Sequence, residues 1–161
     1  MSTALFIGRF QPFHNAHLSD IKSMLKKHKK IIIGIGSSQE KNTSKNPFSY
    51  SERKLMIQKV LKSEKIKNCV ICPVPDLYDD KKWVNYVKTR LPKFDAAYSG
   101  NEWTLRCFKK HKIKVQKIKL IKGISSTLIR QKIIQDKKWK NIAPKEIFNF
   151  INQAKYKRRI I

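Results

Sequence analysis

The sequence predicts an α/β protein: a single Rossmann-like domain with a five-stranded, mostly parallel sheet and helices on both faces. Two observations favour this class. Short apolar runs alternate with segments of helical periodicity along 161 residues, a length typical of one domain. The apolar runs are also continuous, as in parallel strands that are covered on both faces. We therefore expect one domain over residues 1–161.

The first half of the chain supplies three strands and two helices. Leu18, Ile21, Met24 and Leu25 recur at helical spacing. A capping box, Ser49 with Glu52, precedes the second helix. In chain order the predicted elements are strand 3–8, helix 14–29, strand 30–36, polar loop 37–48, helix 51–64 and strand 69–74.

The second half continues the alternation and then ends in two helices. The fifth strand carries several lysines and is expected to be the most exposed. Pro144 opens the last helix, because proline is well tolerated in a first helical turn. The predicted elements are helix 81–91, strand 94–100, helix 101–110, strand 113–120 and helices 125–135 and 144–154.

The chain is strongly basic. Lysine and arginine total 37 against 11 aspartates and glutamates, a formal net charge of +26. Such a field favours polyanionic ligands, including nucleic acids and phosphorylated small molecules. The basic residues are scattered, without a charged tail or stripe, which favours a solvated surface over specific nucleic-acid binding.

Three cysteines, an odd number, indicate a reducing compartment rather than a disulfide framework. Cys69 and Cys72 fall on a predicted strand, where they point to opposite faces and cannot chelate one ion. We expect buried cysteines without disulfides and no protein-built metal site. The sequence contains neither a signal-peptide pattern nor an apolar run of about 20 residues, so we expect a cytoplasmic protein with no membrane partner.

The first predicted strand ends in a cluster suited to phosphate. Gly8 allows a sharp turn or a close approach to a ligand, and Arg9 supplies a fixed positive charge. His14 and His17 lie three residues apart at the start of a helix, whose free N–H groups attract anions. This histidine pair could also cap the helix or ligate a metal, although no third ligand is evident.

A second cluster opens a later helix. Ser125, Ser126 and Thr127 offer hydroxyl and backbone N–H groups to phosphate oxygens, and Arg130 follows within one turn. By itself this pattern is more often explained by an ordinary Ser/Thr-capped helix. Its pairing with the first cluster favours a shared anion site.

These two stretches, "GRFQPFHNAH" and "GISSTLIR", resemble the HxGH and ISSTxxR motifs of a nucleotidyltransferase superfamily. The residues of the first motif are most similar to those of archaeal-type nicotinamide-nucleotide adenylyltransferases. The resemblance extends in order over nearly the whole chain, through "IIIGIGSSQ", "NPFSYSER", "WVNYV", "FDAAYSGN" and "WKNIAP". One departure is Ala16, which stands where the family motif has glycine.

The resemblance implies transfer of AMP from ATP to nicotinamide mononucleotide, giving NAD and pyrophosphate by in-line attack. It implies that Mg²⁺ enters with ATP, and that the protein is a homo-oligomer, a hexamer. The implied catalytic residues are His14, His17, Arg130 and Lys45. The implied ATP and phosphate contacts are Gly8, Arg9, Phe10, His14, His17, Ser125, Ser126, Thr127 and Arg130.

On the mononucleotide side, the resemblance implies that Trp83 stacks on the nicotinamide ring. A buried core tryptophan is the alternative. The remaining implied mononucleotide contacts are Gly36, Ser37, Ser99, Gly100 and Asn101. Two other functions stay open: the same ATP site with phosphopantetheine or flavin mononucleotide as acceptor, and a basic nucleic-acid-binding protein.

Overall fold

Five parallel strands form the sheet that the apolar runs predict. The computed structural model describes residues 2–161. The strands lie in the order β3-β2-β1-β4-β5 and every pairing is parallel. This Rossmann-like order confirms the predicted α/β class. The strands are β1 (Thr3–Gly8), β2 (Lys30–Gly36), β3 (Cys69–Val74), β4 (Ala96–Ser99) and β5 (Val115–Lys117).

Each predicted helix is present, with corrected ends. Helix α1 ends at Leu25 rather than residue 29, because the amides of Lys27 and His28 both donate to Met24 O in a closing turn. The predicted helix 144–154 is two helices, and β4 and β5 are shorter than expected. The helices are α1 (Asn15–Leu25), α2 (Tyr50–Ser63), α3 (Asp80–Arg90), α4 (Glu102–Lys110), α5 (Ser126–Ile134), α6 (Lys145–Ile151) and α7 (Ala154–Lys157), with a one-turn 3-10 helix at Lys140–Ile142.

The contacts of the chain fall into two compact units. Unit 1 contains the whole sheet and comprises the chain up to Gly8, Asp20–Ser38 and Asn68–Leu120. Unit 2 comprises Arg9–Ser19, Gln39–Lys67 and Ile121–Ile161. The predicted single domain 1–161 includes Met1, which lies outside the described residues, and its extent stays a prediction.

Unit 1 is built around its central strand. Four successive β1 residues, from Ala4 to Ile7, are buried. Because successive side chains of a strand point to opposite faces, both faces of β1 are covered. On one face, helices α3 and α4 contribute Trp83, Val84, Val87, Cys107 and Phe108 to a cluster with Leu5, Ile7, Ile32, Val74, Leu91 and Ala97.

Unit 2 has its own aromatic core. Helix α2 contacts α6, and α6 contacts α7. Tyr156 stacks on Phe150 with ring centroids 4.3 Å apart, and its edge meets Phe48 at 6.5 Å. These contacts bring the end of the chain to the segment that precedes α2.

None of the three cysteines forms a disulfide in residues 2–161. Cys107 is buried, but Cys69 and Cys72 are only half-buried, because β3 is an edge strand of the sheet. Within the same residues no group of three His, Cys, Asp or Glu side chains could hold a metal ion. Nor does that part of the chain contain a helix long and apolar enough to cross a bilayer.

Replacing Phe108 with alanine tests the packing of α4 on the sheet. Phe108 is fully buried and contacts the rings of Trp83 and Phe94. Phe108→Ala should lower the free energy of unfolding by about 3–5 kcal/mol, because it removes a large side chain and leaves a cavity. Urea denaturation measures this, with the exposed neighbour Lys109→Ala as control. Equal midpoints for the two variants would contradict the packing.

Candidate active site

The loop of residues 9–13, which follows β1, is held by side chains from distant parts of unit 2. Three of its carbonyl oxygens accept hydrogen bonds: Arg9 O from Arg53 Nη1 (2.8 Å), Gln11 O from Arg130 Nη1 (2.6 Å) and Pro12 O from Ser126 Oγ (2.8 Å). Buried carbonyl groups need such partners, since an unmade hydrogen bond is costly. The two motifs of the sequence, more than a hundred residues apart, are therefore in direct contact.

The Gln11 side chain makes a fourth connection between this loop and another part of unit 2. Its buried amide group donates to Phe48 O over 2.8 Å and accepts from Phe48 N over 3.0 Å. The neighbouring Phe10 has a φ of 52°, in the left-handed region that residues other than glycine rarely occupy. Such backbone strain persists only where surrounding contacts over-determine it. The hydrogen bonds made by Arg9 and Gln11, on either side of Phe10, supply those contacts.

His14 and His17 cap helix α1 and stack on each other. The His17 amide donates to His14 Nδ1 over 3.4 Å, and the His14 amide donates to His17 Nδ1 over 3.3 Å. The two rings are nearly parallel, at 14°, with centroids 3.6 Å apart. Because each Nδ1 accepts a hydrogen bond, the geometry assigns the proton of each neutral ring to Nε2. Capping, one alternative that the sequence left open, is thus observed.

Burial keeps both histidines neutral. It lowers the pKa of His14 from 6.5 to about 4. Burial also lowers the pKa of His17 well below its usual value, and a positive charge on His14 would lower it further. Phe10 and Phe13 enclose the His17 ring at centroid distances of 4.7 and 5.3 Å. At neutral pH the pair therefore offers two fixed N–H donors without positive charge.

Positive charge comes instead from arginine. Arg130 is 8% exposed, and Nη2 also reaches Thr127 Oγ1 at 3.4 Å. Burial lowers its pKa, and the charge of Arg9 lowers it further, although an arginine stays protonated. Two neighbouring positive charges repel each other, and an anion bound between them offsets that repulsion.

The serine hydroxyls of the second motif take structural roles. Ser125 is the N-cap of α5, and its Oγ accepts from Leu128 N over 3.1 Å. Ser126 Oγ donates to Pro12 O. The backbone N–H groups of the first turn of α5 are then the groups of this motif that a helix N-terminus can offer to an anion. Lys45 is exposed, on the loop that precedes Phe48.

In unit 1 the other predicted residues lie where three adjacent strands end. Gly8, Gly36 and Ser99 are the last residues of β1, β2 and β4. Ser99 Oγ donates to Ile7 O and accepts from Asn101 N, both at 3.1 Å. Asn101 caps α4, and a side chain at Gly100 would press on Ile118 at 3.2 Å. Ser37 directly follows β2, with a φ of 46°.

Trp83 is 2% exposed and packs against Trp103 and Phe108, at ring-centroid distances of 4.9 and 5.2 Å. A stacking surface for a ligand requires an accessible ring face. The structure therefore favours the core interpretation of Trp83, the alternative that the sequence left open.

Known proteins are similar to this chain over most of its length. The cytidylyltransferase-like family model matches residues 5–132. A nicotinamide-nucleotide adenylyltransferase of Methanococcus aeolicus is 42% identical over 159 residues, which cover 98% of this chain and 92% of the relative. The enzyme of the same name from Thermoplasma acidophilum is 39% identical over 93% of this chain and 85% of its own length. The chain belongs to the nicotinamide-nucleotide adenylyltransferase family.

A solved structure supports the family assignment at the level of the fold. The bifunctional NMN adenylyltransferase/ADP ribose pyrophosphatase of Francisella tularensis, complexed with AMP and a Mn ion, matches 99% of this adenylyltransferase chain with a TM-score of 0.77 and 29% identity. The chain spans only 52% of that protein. The match therefore concerns about half of the bifunctional chain.

Two residues that hold the site of this adenylyltransferase escaped the sequence prediction. Gln11 and Arg53 belong to the recognised motifs, yet only the structure reveals their hydrogen bonds to Phe48 and Arg9. Arg53 is fully buried. A charged residue in an otherwise amphipathic helix gives no sequence signal of burial, because charged side chains are almost always exposed.

The depressed histidine pKa values predict acid-sensitive stability. The unfolded chain binds protons near pH 6.5, whereas folded His14 binds one only near pH 4. The His14 contribution to stability is therefore fully present above about pH 7 and is lost as pH falls toward 4. For His14 alone the loss from pH 7 to 5 is about 2 kcal/mol. Urea denaturation at several pH values measures it, and His14→Gln should flatten the dependence; an unchanged slope would contradict the buried neutral state.

Trp83→Phe separates packing from stacking. The structure predicts a loss of about 1–3 kcal/mol in the free energy of unfolding, because the smaller ring leaves a gap beside Trp103. The Michaelis constants for ATP and for the mononucleotide should then change equally. Lys82→Ala, on the exposed side of α3, is the control. A rise confined to the mononucleotide constant would restore the stacking role.

Proposed function

We propose that this chain is a nicotinamide-nucleotide adenylyltransferase, which transfers AMP from ATP to nicotinamide mononucleotide and releases pyrophosphate. The observation that carries the proposal is the direct contact between the two phosphate motifs, through Arg130 on Gln11 O and Ser126 on Pro12 O. These contacts place α5 against the loop of residues 9–13, which leads into His14 and His17. Together the motifs offer N–H donors and arginine charge to one anion.

The reaction needs no general base. A phosphate oxygen of the mononucleotide attacks the α-phosphorus of ATP, and the bond from that phosphorus to the β-phosphate oxygen breaks. The attacking oxygen carries no proton that must leave, so the protein positions the reactants and stabilises developing charge. Neutral, buried histidines suit this role, because their Nε2–H groups donate without competing for a proton.

We assign the residue roles as follows, from the family resemblance and the contacts of the two motifs. His14 and His17 contact the ATP phosphates, with His17 donating to the charge that develops at the α-phosphate. Arg130, Arg9 and the first turn of α5 hold the β- and γ-phosphates. Lys45 closes over the phosphates from its exposed loop. The ends of β2 and β4, with Gly36, Ser37, Ser99, Gly100 and Asn101, bind the mononucleotide.

Magnesium enters this scheme as part of the substrate, the MgATP complex. The motif residues are histidines, arginines and hydroxyl side chains, which suit phosphate oxygens rather than a hard divalent cation. Such a site leaves the metal to the oxygens of the nucleotide and to water.

Incubation of the purified protein with MgATP and nicotinamide mononucleotide should yield NAD. Parallel reactions with flavin mononucleotide and phosphopantetheine test the other acceptors. Product from one of these compounds alone would identify it as the acceptor in place of nicotinamide mononucleotide. The proposed ATP site would be unaffected. If no acceptor reacts and the protein binds an oligonucleotide with strong salt dependence, the result favours a basic nucleic-acid-binding protein instead.

His17→Ala should reduce turnover by about 10²–10³-fold, the typical effect of removing one preorganised donor to transition-state charge. Steady-state kinetics of NAD formation measure this. His111→Ala is the matched control, since His111 lies in unit 1, where it contacts Cys107 O. Near-normal turnover of the His17 variant would remove this histidine from the mechanism.

A further inference from the structure

The C-terminal segment, residues 154–161, reaches the start of α2 through an ion pair. Arg159 Nη1 donates to both carboxylate oxygens of Glu52, at 2.6 and 2.7 Å. The Arg159 guanidinium also lies 5.4 Å from the centroid of the Tyr156 ring. Tyr156 in turn contacts Phe48, the residue that pairs with Gln11. The segment thus contacts residues 48–52 of unit 2 at two neighbouring points.

Glu52 is already part of the α2 cap. Its carboxylate accepts from Ser49 N over 2.9 Å, while Ser49 Oγ accepts from Glu52 N over 3.3 Å. Ser49 O accepts from Arg53 Nε over 3.3 Å, and Arg53 Nη1 donates to Arg9 O. A series of hydrogen bonds therefore connects Arg159 to the loop of residues 9–13.

The pair differs from an ordinary surface salt bridge, which contributes little because both charges stay solvated. The Glu52 side chain is only 19% exposed and that of Arg159 32%. Burial tends to raise the Glu52 pKa, but the Ser49 amide and Arg159 together hold it below its usual value. The carboxylate is therefore charged at neutral pH and joins two groups, the Ser49 amide and the Arg159 guanidinium.

We propose that Arg159 is a positioning residue for the ATP site: by fixing Glu52 it holds Arg53, and through Arg53 the loop of residues 9–13, in the phosphate-binding conformation. Arg159 itself does not contact ATP. Its effect reaches the site along one path through Ser49 and Arg53, and along a second through Tyr156 and Phe48. The inference rests on the proposed function only in taking ATP as the ligand.

Amide hydrogen exchange of the free protein is the first test, because it needs no ligand. In Arg159→Ala, exchange in the peptide that contains residues 9–13 should rise about tenfold, with β5 unchanged as an internal reference. Arg158→Ala is the matched control: it removes the same charge from an exposed neighbour and should leave both regions unchanged. Equal exchange at residues 9–13 in the two variants, or a uniform rise in every element, would overturn the proposal.

ATP affinity is the second test, measured by equilibrium titration with MgATP at a temperature where circular dichroism finds every variant folded. Arg159→Ala should weaken binding about tenfold, and Arg158→Ala less than about twofold. Glu52→Gln should match Arg159→Ala, since the amide can still accept from Ser49 N but loses the charged partner. The double variant should lose no more than either single one, because both remove the same contact.

Other outcomes are equally decisive. Wild-type ATP affinity in Arg159→Ala, with only a lower melting temperature, would reduce the pair to a stabilising contact and overturn the proposal. If Arg159→Ala does not fold, Arg159→Lys retains the charge with less reach and should show a smaller shift in the same direction. A wild-type protein that binds no ATP would refute the proposed function, whereas hydrogen exchange would still decide the role of Arg159.

Discussion

The conformation of the loop after β1 is the constraint on which the candidate site depends. Its residues run through a strained φ at Phe10 before the chain enters α1. Three carbonyl groups and one side-chain amide of this loop are hydrogen-bonded to other parts of unit 2. Because these partners come from two other segments, residues 48–53 and helix α5, the loop adopts this form only once unit 2 is folded.

Burial then decides the chemistry of the histidines that follow. A solvated histidine pair would be partly protonated near neutral pH and would bind phosphate mainly through charge. Enclosed by Phe10 and Phe13, the pair is neutral and its N–H groups have fixed directions. Preorganised donors of this kind stabilise developing charge without reorganisation. In the proposed function the arginines supply the positive charge, and the histidines supply N–H donors of fixed direction.

Strand positions and the two motifs were readable from the sequence because both are local patterns. The apolar runs located all five strands, and Ser49 with Glu52 correctly predicted the cap of α2. Helix ends were less predictable: the break between α6 and α7 follows no proline or glycine. The sequence left the burial of Trp83 as one of two alternatives and gave no sign of the burial of Arg53, since each depends on what the fold packs against the side chain.

The sequence by itself determined the α/β class, the family and the residue types that meet a phosphate, because periodicity and motif spacing are properties of the chain. Tertiary structure alone decided which of these groups act together. Hydrogen bonds from Arg53, Arg130 and Ser126 join segments far apart in the chain. The ion pair of Arg159 with Glu52 likewise joins residues that are 107 positions apart in the chain. No local pattern encodes such pairs, because they depend on the path that the folded backbone takes between them.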